Sequence, residues 1–356
     1  MDLSLMLKIL HVANFNQFKY GEWFMNFDAK LSTGFNQLGH YVYNFSQRDV
    51  ARSESLFKSK KLGRNKMRLA LLKTVSNLKP DLIVLGHSEL IDRKTILEVK
   101  RVVPNAVFVM WYCDALFKAH ADARGAEILN EKAPYLDAVF TTTALTYMQD
   151  VINSECRMAH IPNLVHSAVE SGQAFKIDSY EYDLMFAGND YNEPYRADLL
   201  KSLVGSSDKF TFKLFQALGN PRIHGQDYYS AITNSLMGLS LSRRIDVPWY
   251  TSDRLQQIMG NGSAAVAPRT DGLTTLFKED EIIWFDDESE ILEKVTWYSQ
   301  HEDETKKIAE RGWKAVHKRC SADRIAQFML DVAINGKLSF DYEWSDQVSW
   351  GAGGQA

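Results

Sequence analysis

Little in this chain of 356 residues suits life outside a cell. It has three cysteines, Cys113, Cys156 and Cys320, far apart and odd in number. That excludes a disulfide framework and a paired-cysteine zinc pattern, and it suits a reducing compartment. No apolar run is long enough to span a bilayer. The opening MDLSLMLKILHVANF lacks a basic leader and a cleavage site, so it reads as a buried first strand. The protein is expected in the cytoplasm, with peripheral attachment to the inner face of a membrane left open. Charge of neither sign dominates: the net charge of −4 carries no signature of nucleic-acid binding. The nine histidines show no H-x-x-x-H or H-E-x-x-H spacing, so no metal site is expected. A Walker A loop, a G-x-S-x-G elbow, internal repeats and low-complexity tracts are all absent. Gly260-x-Gly262-x-x-Ala265 superficially fits a dinucleotide fingerprint. That fingerprint needs strand, glycines, helix; here the glycines follow a helix and precede a strand, which rules it out.

What is present is alternation. Apolar strands at 5–13, 41–45, 81–86, 106–112, 138–142 and 158–161 are separated by helix-period stretches. Among these are one running through Trp23, Phe24, Phe27, Leu31, Phe35 and Leu38, and another over 66–78. A polar break at 166–181 acts as a linker. The alternation restarts with strands at 183–187, 210–215, 238–241, 264–267 and 281–285. Helices are expected at 195–204, 228–235, 252–259, 288–299, 302–318 and 322–334. Such a pattern predicts an α/β fold with parallel sheets, in two Rossmann-like doubly wound domains facing a central cleft. Domain one is expected at 1–165 and domain two at 166–336, with the last helix free to pack back on the first domain. A mobile tail is expected at 337–356.

Ligands in open α/β sheets bind beyond the carboxyl ends of strands. Several polar residues fall there. In the second domain Gly188 and Asn189 close its first strand, where glycine permits close approach. Arg243 follows the strand at 238–241. Ser252 is a competent helix cap, Arg254 lies in the first helical turn and Gln257 one turn along. A cation in a first turn opposes the helix dipole and makes sense if an anion sits there; the alternative is an ordinary solvated arginine. Thr270, Asp271, Gly272 and Leu273 form a turn after a strand of small residues, offering hydroxyl, carboxylate and backbone N–H groups, or merely a tight turn. In the first domain Asn14 and Gly21 bound the loop after the first strand. His87 and Glu89 follow the third strand and Asp114 follows VFVMWYC. Each of these last three is a candidate general base or a loop cap.

The second half also resembles a known family. YYSAITNSLMGLSLS, followed by YTSDRLQQIMGNGSAAVAPRTDGLTTLFKEDEIIWFDDESEILEKV, is similar to the C-terminal domain of GT-B glycosyltransferases, in particular the group typified by the spore maturation protein CgeB. Arg254, Gly262, Glu281–Asp286 and Glu290–Lys294 fall in the family's order. DLMFAGNDYNEPYRADLL resembles the opening strand of that domain, and AHIPNLV the close of the first domain. The resemblance covers roughly 158–330; residues 1–157 match in architecture only. It implies a hexosyltransferase-like enzyme moving a sugar from a nucleotide-sugar donor to a hydroxyl of a glycan, glycolipid or other acceptor, without cofactor or metal. It places the donor at Gly188, Asn189, Arg243, Ser252, Arg254, Gln257 and Thr270 to Leu273, the acceptor near Asn14 and Gly21, and the base at Asp114, His87 or Glu89. One departure stands out: the family's ribose-binding glutamate falls on Gln257, which keeps hydrogen bonding and loses charge. Two alternatives are carried: a nucleotide-sugar epimerase on the same fold, and a catalytically weak nucleotide-binding protein.

Overall fold

The computed structural model describes residues 6–116, 123–191, 194–206 and 208–351. Its strands are β1 (Lys8–Ala13), β2 (Tyr41–Ser46), β3 (Leu82–Leu85), β4 (Val107–Tyr112), β5 (Ala138–Thr141), β6 (Arg157–His160), β7 (Tyr182–Ala187), β8 (Phe212–Phe215), β9 (Ser235–Leu239), β10 (Ala264–Pro268), β11 (Ile283–Phe285) and β12 (Val348–Ser349). They form two sheets, ordered β12-β6-β5-β4-β3-β1-β2 and β11-β10-β9-β7-β8. Every pairing is parallel except β12 on β6. Parallel strands are covered on both faces and so read as unbroken apolar runs. The fully buried Leu82-Ile83-Val84-Leu85 of β3 shows the type. In each sheet the strand order reverses once, between β1 and β3 and between β7 and β9. Such reversals open crevices beyond the strands' carboxyl ends.

The chain divides into two compact units. One comprises the described residues up to Pro162 together with those from Ala322 onward; the other is Asn163–Ser321. Leu10, Val12, Ile83, Phe108 and Met110 lie in the core of the first unit. Leu184, Phe186, Leu239, Val266 and Ile283 lie in that of the second. Helix Ala322–Leu330 packs on helix Phe27–Gln37 of the first unit so closely that a Cβ on Gly34 would fall 2.2 Å from the Ala322 carbonyl oxygen. All three cysteines are free thiols, and no described helix is long and apolar enough to cross a membrane.

Several expectations need correction. The strand expected from Leu5 begins at Lys8, and Leu5 itself lies outside the described residues. The periodic run from Trp23 becomes a helix only at Phe27, because the Asn26 side chain accepts from the Asp28 N–H at 2.7 Å and caps it there. Helix Gln47–Ser53 has no counterpart in the sequence reading. The tail is ordered over 337–351: β12 pairs with β6, and Tyr342 and Trp344 are buried. Its anchor is Asp331, fully buried. The Asp331 carboxylate accepts from Gln327 Nε2, Asn335 Nδ2, Ser339 N, Ser339 Oγ and Tyr342 Oη at 2.7 to 3.1 Å. Residues 352–356 of the expected tail lie outside the described residues.

Candidate active site

At the strand reversal of the second unit sits Arg254, the first residue of helix Arg254–Gly260. Its Nε donates to the Ala187 carbonyl at the end of β7 (2.7 Å). Its Nη1 donates to the Leu241 carbonyl, just past β9 (3.2 Å), and to Ser252 Oγ (3.4 Å). The guanidinium stacks over Phe186 at 4.8 Å. Gly188 explains itself here: a Cβ would fall 2.4 Å from Arg254 Nη2. The arginine is therefore pinned by two carbonyls across the reversal, and its Nη2 has no hydrogen-bond partner among the described residues. A half-buried planar cation with a spare donor edge is suited to a phosphate group.

Gln257 lies on the same helix and is buried. Its Oε1 accepts from Tyr228 Oη (2.9 Å) and its Nε2 donates to Asp253 Oδ2 (3.0 Å). Burial raises the Tyr228 hydroxyl above the usual tyrosine range, so it stays a donor. The expected side-chain cap is absent: helix Arg254–Gly260 begins after Asp253 with no capping side chain. The Ser252 N–H instead donates to Ser242 Oγ at 2.8 Å, and Ser252 Oγ serves Arg254.

The turn after β10 falls where the sequence reading put it. Gly272 has φ +84, and a Cβ on it would run into the Trp249 indole at 2.4 Å. The Asp271 carbonyl accepts from Trp249 N–H at 2.7 Å. Thr270 is buried, with its hydroxyl on the Ile245 carbonyl, and Leu273 is buried as well. Packing against Trp249 thus accounts for Gly272, while the Asp271 side chain stays exposed. Arg243 is exposed, and its neighbour Arg244 is held by Asp246 at 2.7 Å. The Asn189 carbonyl accepts from the buried Arg196 (2.6 Å), and the Asn189 Oδ1 is buried without a partner among the described residues. Ser240, one residue past β9, also has a buried hydroxyl without a described partner. It lines a small cavity with Ser242, Thr251 and Thr270. Sequence reading missed Phe186, Tyr228 and Ser240. For Tyr228 the aromatic pair in YYSAIT was the available signal.

In the first unit His87 follows β3, and Cys113 and Asp114 follow β4. His87 Nε2 lies 3.4 Å from Cys113 Sγ. One donor atom from each of His87, Cys113 and Asp114 falls within 4.8 Å of the others. Two backbone anchors set the pair: the His87 carbonyl accepts from Gln47 Nε2 (2.6 Å) and the Cys113 carbonyl from Thr142 Oγ1 (2.8 Å). The nitrogen, sulfur and carboxylate oxygen are donor types that zinc accepts, and they are the described residues able to hold a metal, where the sequence reading expected none. Cys113 was missed because nothing in the local sequence brings it to His87.

Glu89 is a different case. It accepts from Arg48 Nε (2.5 Å), Lys60 Nζ (3.2 Å), Gln47 Nε2 (2.9 Å) and Asn14 Nδ2 (3.4 Å). Burial would raise its carboxyl, but the bonds and charge of Arg48 and Lys60 prevail and hold it at about 2. So firmly ionised a carboxylate makes a poor general base near neutral pH. Asn14 belongs to this same network, whereas Gly21 sits in an exposed turn with open space about it. Beneath the loop, buried Lys132 donates to the Ser88 carbonyl at 2.9 Å, and burial lowers its ammonium to about 8.

With this geometry in view, the comparisons decide the class. Residues 176–331 match the family described as glycosyl transferase-like. The HepE protein of Anabaena, solved in complex with UDP and glucose, is similar over 91% of this chain and 98% of its own, with 13% identity and a TM-score of 0.58. The chain has the GT-B fold, and its residues 176–331 are a glycosyl transferase-like domain. The sucrose-phosphate synthase of Thermosynechococcus elongatus is similar over 91% of this chain and 97% of its own, at 13% identity and a TM-score of 0.56. A Listeria monocytogenes protein assigned as a UDP-N-acetylglucosamine 2-epimerase also shares the fold, with 9% identity, a TM-score of 0.51, and coverage of 95% of this chain and 99% of that one. No curated protein sequence matches the chain. At these identities the solved structures speak for the fold, and it is the family match over 176–331 that carries glycosyl transfer.

Proposed function

We propose that this glycosyltransferase binds the diphosphate of its nucleotide-sugar donor at Arg254, in the strand reversal of the second unit, and transfers the sugar to an acceptor hydroxyl. The observation that carries the reading is the pinned guanidinium: held by the Ala187 and Leu241 carbonyls, it keeps one donor edge spare beside Gly188. As the sugar leaves, negative charge grows on the diphosphate, and a preorganised cation there lowers the barrier with no metal required. HepE, solved with UDP, makes a uridine nucleotide the first donor to try. Gln257, already set by Tyr228 and Asp253, would meet the ribose hydroxyls through the amide. On the acceptor side Asp114 and His87 are the base candidates, because two cations hold Glu89 firmly ionised. A glycan or glycolipid hydroxyl is the acceptor class, in the cytoplasm.

The test is thermal stabilisation of the full chain by nucleoside diphosphates and nucleotide sugars, with and without EDTA. Ligand at 100 times its dissociation constant raises stability by about 2.7 kcal/mol. An EDTA-insensitive shift with one nucleotide, lost in Arg254→Ala, supports the site; no shift with any nucleotide refutes it. Donor consumed without an acceptor would move the reading to the epimerase. Donor bound but never consumed would move it to a nucleotide-binding protein.

A further inference from the structure

Between helix Gln47–Ser53 and helix Arg64–Leu78 the chain makes a loop, SLFKSKKLG. Its apolar side chains point outward: Leu56 is 96% exposed, Phe57 82% and Leu62 67%. The following helix adds Leu69, 58% exposed, on the same face as Lys66 and Lys73. Exposing one large apolar side chain is ordinary; clustering four in fourteen residues is not. Between 54 and 78 there are seven basic residues and one acidic residue, in a chain whose net charge is −4. Three of the seven are engaged, Lys60 with Glu89, Arg64 with Asp92 and Arg68 with Glu98. Lys58, Lys61, Lys66 and Lys73 have no ion-pair partner among the described residues. The loop's return point is rigid, because a Cβ on Gly63 would fall 1.7 Å from the Ala51 carbonyl oxygen. A fixed base therefore carries a tip of leucine and phenylalanine ringed by unpaired lysines.

We propose that this loop and the outer face of helix Arg64–Leu78 form a docking surface for an anionic lipid bilayer. Apolar tips enter the boundary between headgroups and acyl chains while lysine ammonium groups meet anionic headgroups. Two copies of this face would repel each other through the same lysines. A nucleic acid would use the lysines but leave the aliphatic side chains in water, since bases are held by stacking on aromatic rings. The bilayer satisfies both halves of the surface. If the transferase reading also holds, the surface brings the enzyme to lipid-borne acceptor hydroxyls; the docking itself does not rest on that reading.

The experiment is co-sedimentation of the full chain with vesicles of phosphatidylcholine alone and with about 30% phosphatidylserine, an anionic content chosen to give the strong surface potential on which such lysines act. Binding to the anionic vesicles only, weakened by salt, is expected. Each unpaired lysine near such a surface contributes about five-fold to partitioning, so Lys58→Glu with Lys61→Glu loses well over ten-fold. Leu56→Ser with Phe57→Ser also loses at least ten-fold, by removing two apolar burials. All four positions are exposed, so the variants keep the melting temperature and any nucleotide-induced shift of the parent; that shift separates failure of the docking surface from failure of the donor site. Equal binding to neutral vesicles, no binding, or binding unchanged in both variants overturns the proposal. Retention on heparin without vesicle binding also overturns it, in favour of an acidic polymer.

Discussion

Arg254 is held by geometry that lysine cannot copy. Two carbonyls accept from Nε and Nη1 of one planar group, and a single ammonium on a flexible stem cannot span them while keeping a donor edge spare. Both Arg254→Ala and Arg254→Lys are expected to weaken nucleotide binding about 10- to 100-fold, the worth of a charge-assisted hydrogen bond, read by titration calorimetry. Near-normal binding by Arg254→Lys would show that charge alone suffices. Gly188→Ala probes the same contact from the other side: its Cβ meets Nη2, so a similar loss is expected with little change in fold. In the first unit, buried Lys132 gives a pH signature. Its folded ammonium gives up its proton at about 8 against the usual 10.5. The unfolded chain binds more protons between those values, so this residue's contribution to stability rises with pH there. Lys132→Met is expected to melt about 2–6 °C higher than the parent at pH 7, with the gap narrowing toward pH 10. Glu89 runs the other way: its folded carboxyl sits at about 2, below the usual 4.5. Its stabilising contribution is whole above pH 4.5 and fades as pH falls toward 2, and Glu89→Gln flattens that acid limb.

Among the elements, the segment after 336 makes the clearest prediction. Asp331→Ala strips the common acceptor from Gln327, Asn335, Ser339 and Tyr342 and is expected to cost at least about 3 kcal/mol in urea unfolding. A cost under 1 kcal/mol would mean that Tyr342 and Trp344 hold the segment unaided. Sequence reading took that segment for a loose tail because its order comes from one buried carboxylate and a two-residue pairing, neither of which leaves a periodic trace. The strands were legible for the opposite reason: parallel strands covered on both faces are continuous apolar runs, so β3 and β4 fell within a residue or two of expectation. Helix Gln47–Ser53 was illegible because only Gln47, Asp49 and Ala51 are buried in it, two polar residues and one small apolar one. Of the donor-side residues, Gly188, Ser252, Arg254 and Gln257 do stand close in space. Gly272 owes its character to Trp249, a contact no spacing rule anticipates. The link between His87 and Cys113 crosses neighbouring strands and was equally hidden.

On the scale of the whole molecule, the second unit is an insertion. Val165 pairs with Ser321, and its N–H donates to the Cys320 carbonyl at 2.9 Å, so the unit's two ends lie side by side. A chain of residues 163–321 alone is expected to fold and to keep the nucleotide response. Residues 1–162 alone are expected to aggregate, for want of the helix at 322–330. Calorimetry of the full chain with nucleotide should raise only the transition that belongs to 163–321.

The fit of Gly34 against Ala322 also has a meaning in time. A ribosome that has released Gly34 must add about 290 more residues before Ala322 exists, some 15 to 60 seconds at about 5–20 residues per second. Through that interval the groove on helix Phe27–Gln37 stays uncovered, while the second unit, contiguous in sequence, can finish folding first. The enzyme's first unit is therefore the last to be completed, and the nascent chain is a natural client for a chaperone until its final helix emerges.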